Sequence, residues 1–243
     1  MLSFSHVKKS FNNYCVLDDI NLHIERGHSV GLIGANGEGK TTLFKSLLNV
    51  SHIDSGEITI LKQAHTRAEA RLQLTFLPEH FQAPYYLNGR EFLHMMLKMQ
   101  QAQYHQQTIE ATLKTLLFDI NALDKPVRTY SKGMMQKLGL SACLCSDKPL
   151  LILDEPMSGL DPAARHALKQ LLNAQKDTGK TLLFSTHLLH DIEMLCDRII
   201  ILANKRIQFY GTIPEAQNRF NASSLEQAYL HCIHSVKQHH EQH

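Results

Sequence analysis

SVGLIGANGEGKTTLFKSLLNV, residues 29–50, is the stretch on which the fold turns. SVGLI is an apolar run carrying β-branched residues and reads as a strand. TTLFKSLLNV is helix-like. Between them GANGEGKT (34–41) fits G-x-x-x-x-G-K-[ST], the pattern of a phosphate-binding loop set between a strand and a helix. Glycines let the backbone curl so that successive N–H groups face phosphate oxygens, and the helix N-terminus adds partial positive charge. The nucleotide contacts expected here are Gly34, Asn36, Gly37, Glu38, Gly39, Lys40, Thr41 and Thr42. Lys40 reaches the β- and γ-phosphates, and the Thr41 hydroxyl holds Mg²⁺.

Further along, LLILDEP (150–156) supplies the natural counterpart. An apolar strand delivers Asp154 to its carboxyl end, where a carboxylate for Mg²⁺ is needed. Successive side chains on an extended chain point opposite ways, so Glu155 is free for a different task. That task is polarising an attacking water as general base. TLLFST (181–186) is continuously apolar too, as suits strands covered on both faces, and His187 ends it. Gly34, Asp154 and His187 thus each follow the carboxyl end of a candidate parallel strand, the edge where open α/β sheets bind ligands.

The remaining chain fits an α/β pattern. Residues 1–27 read as short strands closed by Gly27, ITI after Gly56 as another, RIIILA (198–203) as another, and ANKRIQFYGT as a turn with a final short strand. DPAARHALKQLLNAQKDTG reads as a helix with Asp161 as N-cap, Pro162 in the first turn and Gly179 as the stop. Leu93, Met96 and Leu97, and then Leu113, Leu116 and Leu117, recur at helical spacing around the Gln-rich QQAQYHQQ. This region reads as a helical lobe inserted in the core.

Composition sets the bounds. The 243 residues are 43% hydrophobic and 20% charged, which is ordinary for a globular chain. The formal net charge of +2 gives no support for a nucleic-acid partner. The five cysteines form no CxxC pair and are expected to be reduced thiols. No apolar run approaches the ~18 residues of a membrane span, so any spans must come from another chain.

YSKGMMQK (130–137) is the last informative stretch. Ser131 can cap a following helix, Gly133 lets the backbone come close to a phosphate, and the stretch is built as a helix N-terminus for an anion. With this, the chain over roughly residues 1–230 resembles the ATP-binding subunit of an ABC transporter. YSKGMMQK stands where that family has its signature, SGLDP (158–162) resembles its D-loop, STH (185–187) its switch histidine, and FLPEH (76–80) falls at its Q-loop. Phe11, in KKSF, occupies the place of the aromatic that stacks on adenine.

The resemblance implies one domain over 1–230 with the P-loop ABC-type ATPase architecture: a mainly parallel core sheet, an N-terminal antiparallel β subdomain and an inserted helical subdomain at about 84–146. It implies ATP and Mg²⁺ as ligands, with Thr41, Asp154 and Glu79 as metal donors and Glu155, His187 and Lys40 as catalytic groups. It implies a head-to-tail homodimer closing around two ATP molecules. Ser131 and Gly133 then meet the γ-phosphate of the opposite subunit's ATP, Asp161 works across the interface, and His187 holds the γ-phosphate of its own. The partner is a multi-span permease, which places the chain in the cytoplasm on the inner face of the membrane.

Three positions depart from the family pattern. Lys132 replaces the usual signature glycine, a variant of some exporter-type subfamilies, so the expectation leans to export. Glu79 replaces the Q-loop glutamine and adds negative charge beside the triphosphate. Glu38 stands where a small residue is common and should point away from the phosphates or weaken binding somewhat. The alternative class is a soluble, non-transport ABC ATPase scaffold such as one serving iron–sulfur assembly. SLEQAYL (224–230) resembles the short C-terminal helix of the exporter group, and residues 231–243 read as a His-rich polar tail.

Overall fold

The computed structural model describes residues 1–240 and divides into two compact units, Met1–Gln73 with Thr181–His243, and Leu74–Lys180. The elements in chain order are β1 (Leu2–Phe11), β2 (Tyr14–Ile24), β3 (Ser29–Ile33), α1 (Lys40–Leu47), β4 (Ser55–Ile60), β5 (Gln63–Ala64), α2 (Ala68–Arg71), β6 (Leu74–Leu77), α3 (Gly89–Met99), α4 (Gln106–Thr115) and α5 (Lys132–Leu144). They continue as β7 (Leu150–Asp154), α6 (Pro162–Asp177), β8 (Thr181–Ser185), α7 (Leu189–Leu195), β9 (Arg198–Ala203), β10 (Arg206–Gly211), α8 (Ile213–Arg219) and α9 (Leu225–His240).

The first unit holds an antiparallel sheet in the order β2-β1-β4-β5. The N-terminal region forms two long strands of 10 and 11 residues, not the short ones expected. Irregularities in register between Phe4 and Ser10 hide their length from a period-two reading. His6 and Asp19 lie there at positive φ, and His6 Nδ1 sits 2.8 Å from Asp19 Oδ1. Such bulges twist a hairpin and break its alternation. A two-residue turn with Asn12 in the left-handed region joins the strands, a conformation asparagine tolerates.

In the same unit β3 pairs in parallel with both β8 and β9, and β10 returns antiparallel beside β9. All five residues of β3 and of β8 are buried. That explains why these strands read as unbroken apolar runs. The second unit contains the parallel pair β6–β7. The parallel pairings, the separate antiparallel sheet and the helices make an α/β protein of the expected class.

The helical lobe lies within the second unit. Phe92, Leu93 and Leu97 of α3 meet Ile109 and Leu113 of α4 and Leu138 and Ala142 of α5 in one buried cluster. The spacing that predicts a helix through Leu117 overshoots. α4 stops at Thr115, and Leu117 turns to φ 57° with 57% of its surface exposed. At the other end of α3, Asn88 and Glu91 form a reciprocal capping box. α6 follows its sequence signals closely: Asp161 caps it, Pro162 opens it, and Gly179 follows it at φ 79°.

α9 crosses the boundary expected at residue 230 and runs to His240 as one helix; residues 241–243 of the proposed tail lie outside the described residues. His231 Nδ1 lies 2.9 Å from the Phe220 carbonyl oxygen. The five cysteines form no disulfide. Among the described residues no helix is long and apolar enough to cross a membrane.

Candidate nucleotide site

In the first unit β3 runs straight into the glycine loop and α1. Gly39 is the N-cap of α1 at φ 100°, and no side chain caps the helix. A Cβ on Gly39 would meet Val16 and Leu17 atoms at 3.1 Å, so both conformation and space select glycine. Gly37 also lies at positive φ, and a Cβ there would meet nothing within 4 Å. The first turn of α1 carries no acidic residue. The result is a helix start with no side-chain cap, whose dipole favours an anion.

Lys40 is buried and folds back over its own loop. Its Nζ donates to the carbonyl oxygens of Gly34 at 2.6 Å and Ala35 at 3.1 Å. The ammonium is thereby held over the loop's concave side. Thr41 and Thr42 occupy the next two helical positions.

A cavity of about 310 Å³ beside this loop is lined by Tyr14, Val16, Asn36, Gly37, Glu38, Asn204 and Lys205. Glu38 therefore shares a cavity with a lysine. Phe11, the expected aromatic, is about half exposed and has Lys9 Nζ 4.8 Å from its ring centre. Its direct cross-strand partner is Tyr14, which carries Lys205 Nζ at the same distance. Directly opposed residues share a sheet face, so both rings stand on one edge of the hairpin. His187 follows the end of β8 and is exposed just before α7.

In the second unit, β7 delivers Asp154 and Glu155 as buried carboxylates. The alternation argument fails at Glu155. The strand ends at Asp154, and Glu155 takes φ 49°. A non-glycine residue there is strained by about 1–2 kcal/mol, and residues so held cluster at functional sites. Its direction is set by this turn and not by the pleat.

The signature stretch begins α5. The Ser131 hydroxyl accepts a hydrogen bond from the Met134 N–H at 3.2 Å, so Ser131 caps the helix as expected. Gly133 is needed for a second reason. A Cβ there would lie 2.9 Å from the Gly159 carbonyl oxygen in the loop that follows Glu155. Asp161 caps α6 by accepting from the Ala164 N–H at 2.9 Å. That bond, helped by the nearby Lys137 ammonium, holds the Asp161 carboxyl below its ordinary value.

Glu79 lies just beyond β6 and lines a cavity of about 540 Å³ with Phe81, Tyr85, Tyr130, Ser131 and Gln136. The Q-loop position and the signature serine thus share one cavity. Burial pushes the Tyr130 phenol up to about 12, and its hydroxyl donates to the Ala122 carbonyl oxygen at 2.7 Å. Sequence reasoning did not single out Gln136 or Lys137, both buried on α5. The available signal was polarity at buried spacing: they precede Leu138 on a helix whose later residues are mostly apolar.

Comparison with known proteins agrees with this architecture. A family model described as ABC transporter matches residues 17–158. An ABC transporter ATP-binding protein of Synechocystis is 36% identical over 202 residues, covering 82% of this chain and 57% of that protein. The Nod factor export ATP-binding protein I of Bradyrhizobium diazoefficiens is 35% identical over 201 residues, covering 81% of this chain and 65% of that one. The chain therefore spans 57% to 65% of the length of these two relatives. A solved ATP-binding subunit of an ABC transporter superposes with a TM-score of 0.87 at 30% identity, over 96% of this chain and 99% of that one. A dimeric ATP-binding cassette in a post-hydrolysis state with ADP and Pi gives a TM-score of 0.78 over 87% of this chain and 98% of that one, and at 19% identity it speaks for the fold alone. With the open phosphate loop, the strand-end carboxylates and the capped signature helix in place, the chain belongs to the ABC transporter family.

Proposed function

We propose that this chain binds and hydrolyses ATP as a subunit of an ABC transporter and drives a separate multi-span permease in export. The observation that carries the reading is the open cradle at the head of α1, with Lys40 poised over it. The triphosphate lies along Gly34–Thr42. Lys40 exchanges its two loop carbonyls for β- and γ-phosphate oxygens, with its ammonium already sited at the loop.

Thr41, Asp154 and Glu79 are hard oxygen donors of the kind Mg²⁺ accepts. Mg²⁺ held by such donors would neutralise charge on the phosphate oxygens. Glu155 takes the proton of the attacking water, and His187 holds the γ-phosphate. The adenine rests on the aromatic edge made by Phe11 and Tyr14. A second copy of the chain closes head to tail and brings Ser131, Gly133 and Asp161 to the nucleotide of its partner.

The permease reading draws on the second unit. Tyr85, which lines the cavity with Glu79 and Ser131, exposes 71% of its surface, and its neighbour Tyr86 exposes 69%. Exposed aromatics at the rim of a cavity favour a protein contact. A permease segment seated there would feel changes at Glu79 and at the signature together, and would hold the chain on the cytoplasmic face of the membrane. Export follows the Nod factor export relatives, whose name states that direction.

Two measurements test this. The purified chain should hydrolyse ATP with a requirement for Mg²⁺. Affinity purification from solubilised membranes should bring down a multi-span protein. Full ATPase activity in the soluble fraction with no such partner would end the transporter reading and leave the soluble scaffold.

A further inference from the structure

The face of α5 that follows the signature grips the loop that follows β7. Gln136 is 4% exposed, and its Nε2 donates to the Pro156 carbonyl oxygen at 3.0 Å. Pro156 is the residue after Glu155, whose backbone sits at φ 49°. The Ser158 N–H donates to the Glu155 carbonyl oxygen at 3.0 Å and tightens the same turn. One helical position on, Lys137 is also buried. Its Nζ donates to the Leu117 carbonyl oxygen at 3.1 Å and lies 3.6 Å from Asp161 Oδ2. Gly133, one turn earlier, leaves room for the Gly159 carbonyl oxygen. Two side chains of one helix face therefore hold the turn at its start and end, and Gly133 on the same face lets its middle come close.

A left-handed glutamate persists only where its surroundings over-determine it. A buried side-chain donor fixed to the next carbonyl is such a restraint. Losing it also leaves a buried carbonyl oxygen without that partner, which is costly in a dry interior. We infer that Gln136 and Lys137 are positioning residues, which lock the turn carrying Glu155 and Asp161 to the head of the signature helix. The inference rests on the reading of Glu155 as general base. It has a mechanical corollary. In each chain the signature, which serves the partner's nucleotide, and the base, which serves its own, sit on one braced block. A shift of the signature then moves the base.

The test is steady-state ATP hydrolysis by the full-length chain, with nucleotide affinity and melting temperature measured in parallel. Gln136→Met keeps length and burial but removes the donor. It should lower kcat by about 10- to 100-fold, the range of a modest misplacement of a catalytic group, with KM within about threefold and the melting temperature lower by only a few degrees, about what one lost buried hydrogen bond costs. Lys137→Met should also lower kcat, and Lys137→Arg, which keeps a donor at the same place, should recover most of it. Glu155→Gln runs alongside. If Glu155→Gln hydrolyses at the parental rate, the base assignment falls. If Glu155→Gln is inactive while Gln136→Met matches the parent, the base stands and the positioning role is overturned. A loss in Gln136→Met that comes with weaker nucleotide binding and a lower melting temperature in proportion would make its role structural and also overturn the inference.

Discussion

Two helices in this chain carry a glycine at or near their first turn, and they begin differently. α1 starts at Gly39 with no side-chain cap and open space around Gly37. α5 starts at Ser131 with its hydroxyl engaged by Met134 N–H and with Gly133 packed towards a loop carbonyl. The first has no side chain of its own chain as a cap. The second is already satisfied within its own chain and braced from behind. Both can meet phosphate, but only the first is shaped for it alone. The second is equally a structural joint, and its glycine answers to a neighbour in the same chain before it answers to a ligand.

Substitutions should separate the two ends. The largest effect is expected at the open one. Lys40→Met removes the charge over the cradle and should weaken nucleotide binding by about 3 kcal/mol, two charge-assisted bonds' worth, as read by titration with a fluorescent ATP analogue. Binding at parental strength would refute the open-cradle assignment.

Gly133→Ala tests the braced end. Forcing a Cβ to within 2.9 Å of the Gly159 oxygen should destabilise the chain by about 1–3 kcal/mol while leaving intrinsic nucleotide affinity of the monomer intact. Chemical denaturation gives the first quantity and titration the second. A variant as stable as the parent would mean that the joint is loose.

The aromatic edge next to the cradle comes next. Tyr14→Ala and Phe11→Ala should each be compared by calorimetry, and the ring that stacks on the base should cost about 1–3 kcal/mol of affinity when removed. The lining of the cavity beside the loop favours Tyr14 for the larger share. An effect confined to Phe11 would return the contact to the position indicated by the family pattern.

Ser131→Ala should lower stability by about 1 kcal/mol through loss of the cap, whereas α1 has no equivalent side chain to lose. Equal melting temperatures would remove this difference between the two ends.

The smallest effect is a pH dependence. The Asp161 carboxyl is held below its ordinary value by the Ala164 N–H and by Lys137. Its contribution is therefore complete above the ordinary carboxylate range and is lost as pH falls through the lowered value. Asp161→Asn should flatten the acid limb of stability slightly, and an unchanged limb would count against the contact.

Much of this was legible in the sequence. The glycine loop, the carboxylates after LLILD and the caps of α6 all rest on local chemistry, in which a few neighbouring residues dictate the backbone. The misses have a common origin. The bulges in β1 and β2, the early stop of α4 before Leu117 and the left-handed turn at Glu155 are set by contacts distant in sequence or by a single residue's φ. Gln136 and Lys137 escaped notice because their partners, Pro156, Leu117 and Asp161, lie about twenty residues away. The spacing of a helix gives the face on which a side chain lies, but not which carbonyl awaits it.

On the proposed role of Glu155 as general base, its left-handed backbone sets durability against activity. Glycine would relax that turn by about 1–2 kcal/mol while deleting the carboxylate. A screen of variants for heat resistance alone, blind to turnover, would then be drawn towards Glu155→Gly and would enrich chains that endure longer and do nothing. Selection on the living protein must work against that gradient at this one residue, which makes Glu155 a poor target for stabilisation by consensus or design.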